Sequence, residues 1–137
     1  MKELTVLAKT DNLDKIMQFV TGELESAECS PKIQMQVELA VEEIFVNIAN
    51  YAYTPKEGTA TISVDLTADG ALLRIVFKDS GTPYDPLAKE DPDITLSASD
   101  RTIGGLGIFM TKKSMDNVAY EFKDGQNILT LEKRIVV

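Results

Sequence analysis

The sequence predicts an α/β two-layer sandwich, a mixed, largely antiparallel sheet with helices packed on one face. Three observations carry that prediction. A long stretch from Ser30 to about Tyr53 repeats apolar residues at Ile33, Val37, Ala40, Val41, Ile44, Phe45, Ile48 and Ala52, the period of a helix with one buried stripe. Two alternating segments, Ala60–Thr67 and Leu72–Lys78, flank Asp69-Gly70, which reads as a half-buried antiparallel hairpin. The remaining elements then fall in the order βααββαββ, with an aperiodic excursion before the last helix.

Taken from the start, Lys2–Lys9 alternates as a short strand. Thr10 or Asp11 is placed to cap a helix whose apolar positions are Leu13, Ile16, Met17, Val20 and Leu24. Ser26–Ser30 reads as a loop, and Ser30-Pro31 as the cap and first turn of the long helix. Thr54-Pro55-Lys56-Glu57-Gly58 breaks that helix. The second strand of the hairpin ends at Asp79-Ser80-Gly81-Thr82-Pro83. Residues 84–103 contain Pro86, Pro92 and five acidic residues with little periodicity, a length that points to a lid or binding loop. Gly104-Gly105-Leu106-Gly107 opens a third helix through Ile108, Phe109, Met110 and Met115. Val118, Tyr120 and Phe122 alternate, Asp124-Gly125 turns, and Ile128–Ile135 closes the sheet. Residues 1–137 therefore read as one domain without repeats or a linker.

Composition narrows the function. A net charge of −8 argues against a general nucleic-acid or membrane-surface binder, but a helix start can hold phosphates without a basic patch. The single cysteine, Cys29, excludes an intramolecular disulfide and fits a reducing, cytoplasmic setting. No apolar run is long enough to span a membrane. The chain has no histidine, which removes histidine-based zinc sites, histidine-activated nucleophiles and a phosphohistidine from consideration.

Three short segments can carry chemistry. Glu43 and Asn47 are four residues apart and stack on one helix face. Alone they read as a solvated flank. Asp79-x-Gly81-x-Pro83 puts a carboxylate at a strand end, before a glycine that allows close backbone approach. The glycine run ending in Gly107 stands at a helix start, where free N–H groups and the helix dipole favour phosphate. Neither the Walker pattern nor the Rossmann fingerprint occurs.

In this order, with a lid between the second and third, the segments resemble the GHKL superfamily of ATP-binding proteins, whose fold is the Bergerat fold. Glu43-x-x-x-Asn47 resembles its N box, Asp79-Ser80-Gly81-Thr82-Pro83 its first glycine box, and Gly105-Leu106-Gly107 its second. Within the superfamily the chain is most similar to the small anti-sigma-factor serine kinases of the RsbW/SpoIIAB type. The resemblance runs from Leu4 to Arg134 and includes the Asn50-Tyr51-Ala52-Tyr53 ending and the stretch Ile103–Met110.

That resemblance implies ATP and Mg²⁺ as ligands. Asn47 would bind Mg²⁺ and Glu43 would serve as general base. Asp79 would accept from the adenine amino group, with Thr130 supporting the same contact. Gly81 and Pro83 would shape the pocket. Gly105, Leu106, Gly107, Ile108 and Phe109 would hold the phosphates. The implied activity is serine-protein phosphorylation of an anti-anti-sigma (STAS) partner, with sequestration of a sigma factor, by a homodimeric protein. A nucleotide-gated binding module with little phosphoryl transfer is the alternative. An ATPase of the gyrase or chaperone kind would call for coupling domains beyond this one. Two positions depart from the pattern. Tyr51 stands where many members have histidine, and Lys15 is the nearest match to a partner-contacting arginine.

Overall fold

The computed structural model describes residues 2–53, 56–88 and 106–135. Among the described residues five strands are present: β1 (Lys2–Leu7), β2 (Thr59–Leu66), β3 (Leu72–Asp79), β4 (Asn117–Lys123) and β5 (Gln126–Arg134). Three helices accompany them: α1 (Leu13–Ser26), α2 (Pro31–Tyr51) and α3 (Leu106–Ser114). Their order is the one the periodicities predict.

The sheet order is β1-β2-β3-β5-β4, and every adjacent pair is antiparallel. The parallel component expected of a mixed sheet survives only as a relation at a distance. β3 and β4 run the same way across the α3 crossover, but the β4–β5 hairpin folds β5 into the gap between them. The two-residue turn Asp124-Gly125 has positive φ at both positions, 54° and 77°, the geometry that matches strand twist in a tight hairpin.

One sheet face carries the helices. Ile62, Val64, Leu73, Ile75, Phe77, Leu129 and Leu131 are buried on it. They meet Ile16, Val20 and Leu24 of α1, Val37, Val41, Ile44 and Phe45 of α2, and Ile108 and Met115 near α3. The other face is polar: Thr5 pairs with Thr61 through their hydroxyls at 2.8 Å, and Arg74 bonds Glu132 at 2.8 and 3.0 Å.

Local signals account for most helix ends. The Ser30 hydroxyl accepts from the Ile33 amide at 3.2 Å with Pro31 in the first turn, as expected. α1 differs from expectation. The chain enters it through a 3₁₀ turn over Thr10–Asn12, and neither Thr10 nor Asp11 caps it. The Asn12 carboxamide is instead bonded to the Leu7 carbonyl at 2.9 Å, tying the turn back to β1. At the other end of α1, Glu28 takes a left-handed conformation (φ 57°) and the Cys29 amide reaches the Leu24 carbonyl at 3.2 Å, a Schellman closure.

Candidate functional site

The α2 stripe fixes the first half of the site. Ile44 and Phe45 are buried, so Glu43 and Asn47 are carried at the margin of the helix, both half-buried. Asn47 donates through Nδ2 to Glu43 Oε1 at 3.3 Å, the contact that a four-residue spacing allows. The start of α3 lies directly against this pair. A Cβ on Gly107 would overlap the Glu43 carboxyl group, so only a glycine lets the helix start approach the carboxylate this closely.

The second half is the end of β3. Asp79 is 6% exposed, and its Oδ1 accepts from the Gly81 amide and from Asn127 Nδ2, both at 2.9 Å. The turn after it is clamped to the end of α2. Thr82 donates its amide to the Ala52 carbonyl at 2.8 Å, and a Cβ on Gly81 would strike that same carbonyl. Tyr53 reinforces the clamp: its hydroxyl donates to the Thr59 carbonyl at 2.6 Å and accepts from the Ser80 amide at 2.7 Å.

Between these halves lies a partly open cleft whose lining includes Asn47, Tyr51, Phe77, Asp79, Ile108 and Asn127. Its walls are mainly apolar and aromatic, with a few polar groups converging at the base, the ordinary make-up of a small-molecule site. Tyr51 and Tyr84 stand at the rim, exposed. Tyr120 lines the same cleft; burial raises its phenol above the ordinary tyrosine value, with the Asp85 and Asp79 carboxylates adding to the rise and the Tyr84 amide opposing it. It is therefore a hydrogen-bond donor at neutral pH.

Of the residues expected at the site, Asn47, Asp79 and Ile108 line the cleft, and Glu43 and Gly107 meet next to Asn47 and Ile108 without lining it. Gly81 lies in the clamped turn, whereas Pro83 is exposed and Thr82 and Tyr84 form the wall there. Phe109 is half-buried in α3 with Lys113 Nζ 5.4 Å above its ring. Leu106 begins that helix. Gly105 and the stretch 89–103 of the expected lid lie outside the described residues.

Thr130 is a correction. It pairs with Val76 and Ala119 on the sheet face away from the helices, whereas Asp79 pairs with Asn127 on the helix face. Side chains alternate along a strand, so a three-residue offset moves a residue to the wrong side. Asn127, 7% exposed, is the β5 residue that meets Asp79. Sequence reading missed both Asn127 and the Tyr53 clamp. The available signal was a carboxamide two residues after the turn pair, at the start of the face that continues with Leu129 and Leu131.

Among the described residues no three His, Cys, Asp or Glu side chains gather as a metal cage. A divalent ion here would rely on Asn47 Oδ1, a hard oxygen left over when Nδ2 bonds Glu43, together with ligand phosphates. That suits Mg²⁺, which keeps waters and binds through few protein groups.

Fold and cleft together define an α/β domain with a small-molecule cleft, and comparison with known proteins gives its class. The model of the family described as the histidine kinase-like ATPase domain matches residues 6–133, and the chain belongs to that family. It is 29% identical over 102 residues to the serine/threonine-protein kinase BtrW of Bordetella bronchiseptica, covering 74% of this chain and 71% of that one. Among solved structures, the RsbU and RsbW domains of Rv1364c from Mycobacterium tuberculosis align with a TM-score of 0.65 at 14% identity, over 98% of this chain and 33% of that one. The histidine kinase domain of Erythrobacter litoralis EL346 aligns at 0.58 and 12% identity, over 91% and 60%. The expected resemblance to the GHKL proteins is thereby borne out, and so is the α/β fold. No helix among the described residues is long and apolar enough to cross a membrane.

Proposed function

We propose that this protein is an ATP-dependent serine-protein kinase acting on a small anti-anti-sigma (STAS) partner, and that it holds a sigma factor when that partner is phosphorylated. One observation carries the reading most directly. The Glu43 carboxylate, bonded to Asn47, is packed against Gly107 at the start of α3, and Asn47 and Ile108 beside them line the same cleft as Asp79. A nucleotide with its base at Asp79 would place its phosphates beside that carboxylate. Similarity to a serine/threonine-protein kinase supports the choice of acceptor.

In this reading Asp79 accepts from the adenine amino group, and the amides at the start of α3 hold the phosphates. Glu43 takes the proton from the attacking serine hydroxyl as the γ-phosphoryl group is transferred. Mg²⁺, held by Asn47 and the phosphates, would neutralise charge on the transferring group. Lys15 is exposed on α1, where it offers a point charge to a partner without the planar fork of arginine.

The test is phosphate transfer to a co-encoded STAS protein, detected by mass, with Glu43→Ala as control. Phosphoserine on the partner, reduced on the order of 10²-fold or more in Glu43→Ala, is the expected result. Stoichiometric ATP-dependent complex formation without phosphoserine would instead establish a nucleotide-gated binding module.

A further inference from the structure

Both flanks of α2 are taken, but its outward face is not. On one side Thr21 of α1 donates its hydroxyl to Glu38 at 2.7 Å, and on the other Gly107 of α3 meets Glu43. Val37, Val41, Ile44 and Phe45 are buried in the core. Opposite them, Lys32, Met35, Leu39 and Glu42 form one exposed stripe, since steps of three and four residues keep to one side of a helix. Met35 is 57% exposed and Leu39 60%. Met110, three residues into α3 beyond Gly107, is 56% exposed. Single apolar residues on a surface are ordinary, but adjoining ones mark an interaction surface.

The charges at the two ends of the stripe are not used within the chain. Among the described residues Lys32 and Glu42 make no ion pair or side-chain hydrogen bond. They cannot reach each other, because ten residues of helix span about 15 Å. Lys32 also stands in the first turn of α2, where a cation opposes the helix dipole. The fold of one chain explains neither placement. The stripe is, however, symmetric about Val37, with steps of three, four and three residues. A two-fold axis at that level, with the helices antiparallel, sets Met35 on the partner's Leu39 and Lys32 on the partner's Glu42, twice over. A parallel crossing would instead bring like charges together at both ends.

We infer that the outward face of α2 is a self-association surface. Two copies of this chain pack α2 antiparallel about a two-fold axis, with Met35 and Leu39 at the centre, Met110 beside them and Lys32–Glu42 ion pairs at both ends. The stripe is short against the roughly 800 Å² per partner of a standard interface, so the dimer is weak and depends on concentration. Asn47 lies about 15 Å along the helix from Val37, which keeps the two clefts clear of the axis, at opposite ends of the paired helices. The surface is independent of what the cleft binds.

The experiment is sedimentation velocity from about 1 to 300 μM on wild type, Lys32→Glu, Glu42→Lys and an equimolar mixture of the two variants, each checked for folding by circular dichroism. Wild type should pass from monomer to dimer across that range. Each single variant sets like charges together at both ends, so its dissociation constant should rise at least about tenfold. The mixture pairs opposite charges again at both ends and should dimerise as wild type does. Leu39→Ser is an independent arm that removes the apolar centre without changing charge, and it should be monomeric throughout. A wild type that stays monomeric at the highest concentration, variants that dimerise undiminished, or a mixture no stronger than its components would overturn the inference. A monomeric wild type whose Leu39→Ser variant loses affinity for the STAS protein would give this face to that protein instead.

Discussion

Glu43 and Gly107 illustrate how one missing atom can define a site. The carboxylate and the helix start are 64 residues apart in sequence and touch only because position 107 lacks a Cβ. A Gly107→Ala change would press on the end of a flexible side chain rather than on backbone, so the fold can absorb it by swinging Glu43 aside. Alanine also suits a helix better than glycine, by roughly 1 kcal/mol. Gly107→Ala is therefore expected to leave the melting temperature equal or slightly higher while phosphoryl transfer falls at least about tenfold. A variant of full activity, measured by partner phosphorylation, would contradict the placement of Glu43. Glu43, Asn47 and Asp79, singled out by type and spacing, lie at or beside one cleft. Residue-scale reading failed for Thr130 because a hydroxyl on β5 was matched by type while its face was left undetermined.

At the scale of elements, each helix does one job and its ends show how. α2 is begun by Ser30 and Pro31 and buries a continuous stripe through Phe45. Its far end is held by Tyr53 and by the Thr82 amide on the Ala52 carbonyl, which puts the turn after Asp79 at a set distance from the helix. α1 ends less comfortably. Glu28 occupies the left-handed position of its closing turn, a conformation in which a side chain costs about 1 kcal/mol or more relative to glycine. Glu28→Gly should raise unfolding free energy by about 0.5–1 kcal/mol in urea titration with nucleotide affinity unchanged. A loss of stability would mean that the Glu28 side chain makes a compensating contact. The caps of α1 were misjudged from sequence because Thr10, Asp11 and Asn12 are all good capping types. The choice among them depended on the Leu7 carbonyl, which lies on another element.

For the molecule as a whole, stability comes from one core, and the opposite sheet face adds a pH-dependent increment. Hydrogen bonds from Asn117 and then Arg74, opposed by burial and helped by the Arg74 charge, hold Glu132 below the ordinary glutamate range. The sign follows from which state binds protons more tightly. A carboxylate depressed in the folded state stabilises at pH values above its unfolded pKa, roughly 4.3, and that contribution is lost as pH falls through the folded pKa. Arg74 is half exposed, so the increment is small. The double variant Asn117→Ala/Arg74→Met should be about 1 kcal/mol less stable than wild type at pH 7. The gap should narrow as the pH drops below about 4 in denaturant titrations. A constant gap from pH 7 to pH 3 would show that Glu132 is not responsible.

What the sequence determined by itself is what local physics decides. Apolar period separated helices from strands, turn chemistry placed the hairpins, and the order and spacing of Glu43, Asn47, Asp79 and Gly107 carried the resemblance to an ATP-binding family before any contact was known. Only the tertiary structure decided which residue of β5 would face Asp79, because β5 inserts between β3 and β4 in a register set by pairing between strands far apart in the chain. A shift of one residue in that register would exchange the two faces. That is why Asn127, bonded to the Asp79–Tyr84 stretch and to Tyr120 of β4, became visible as part of the site only when those segments were brought together.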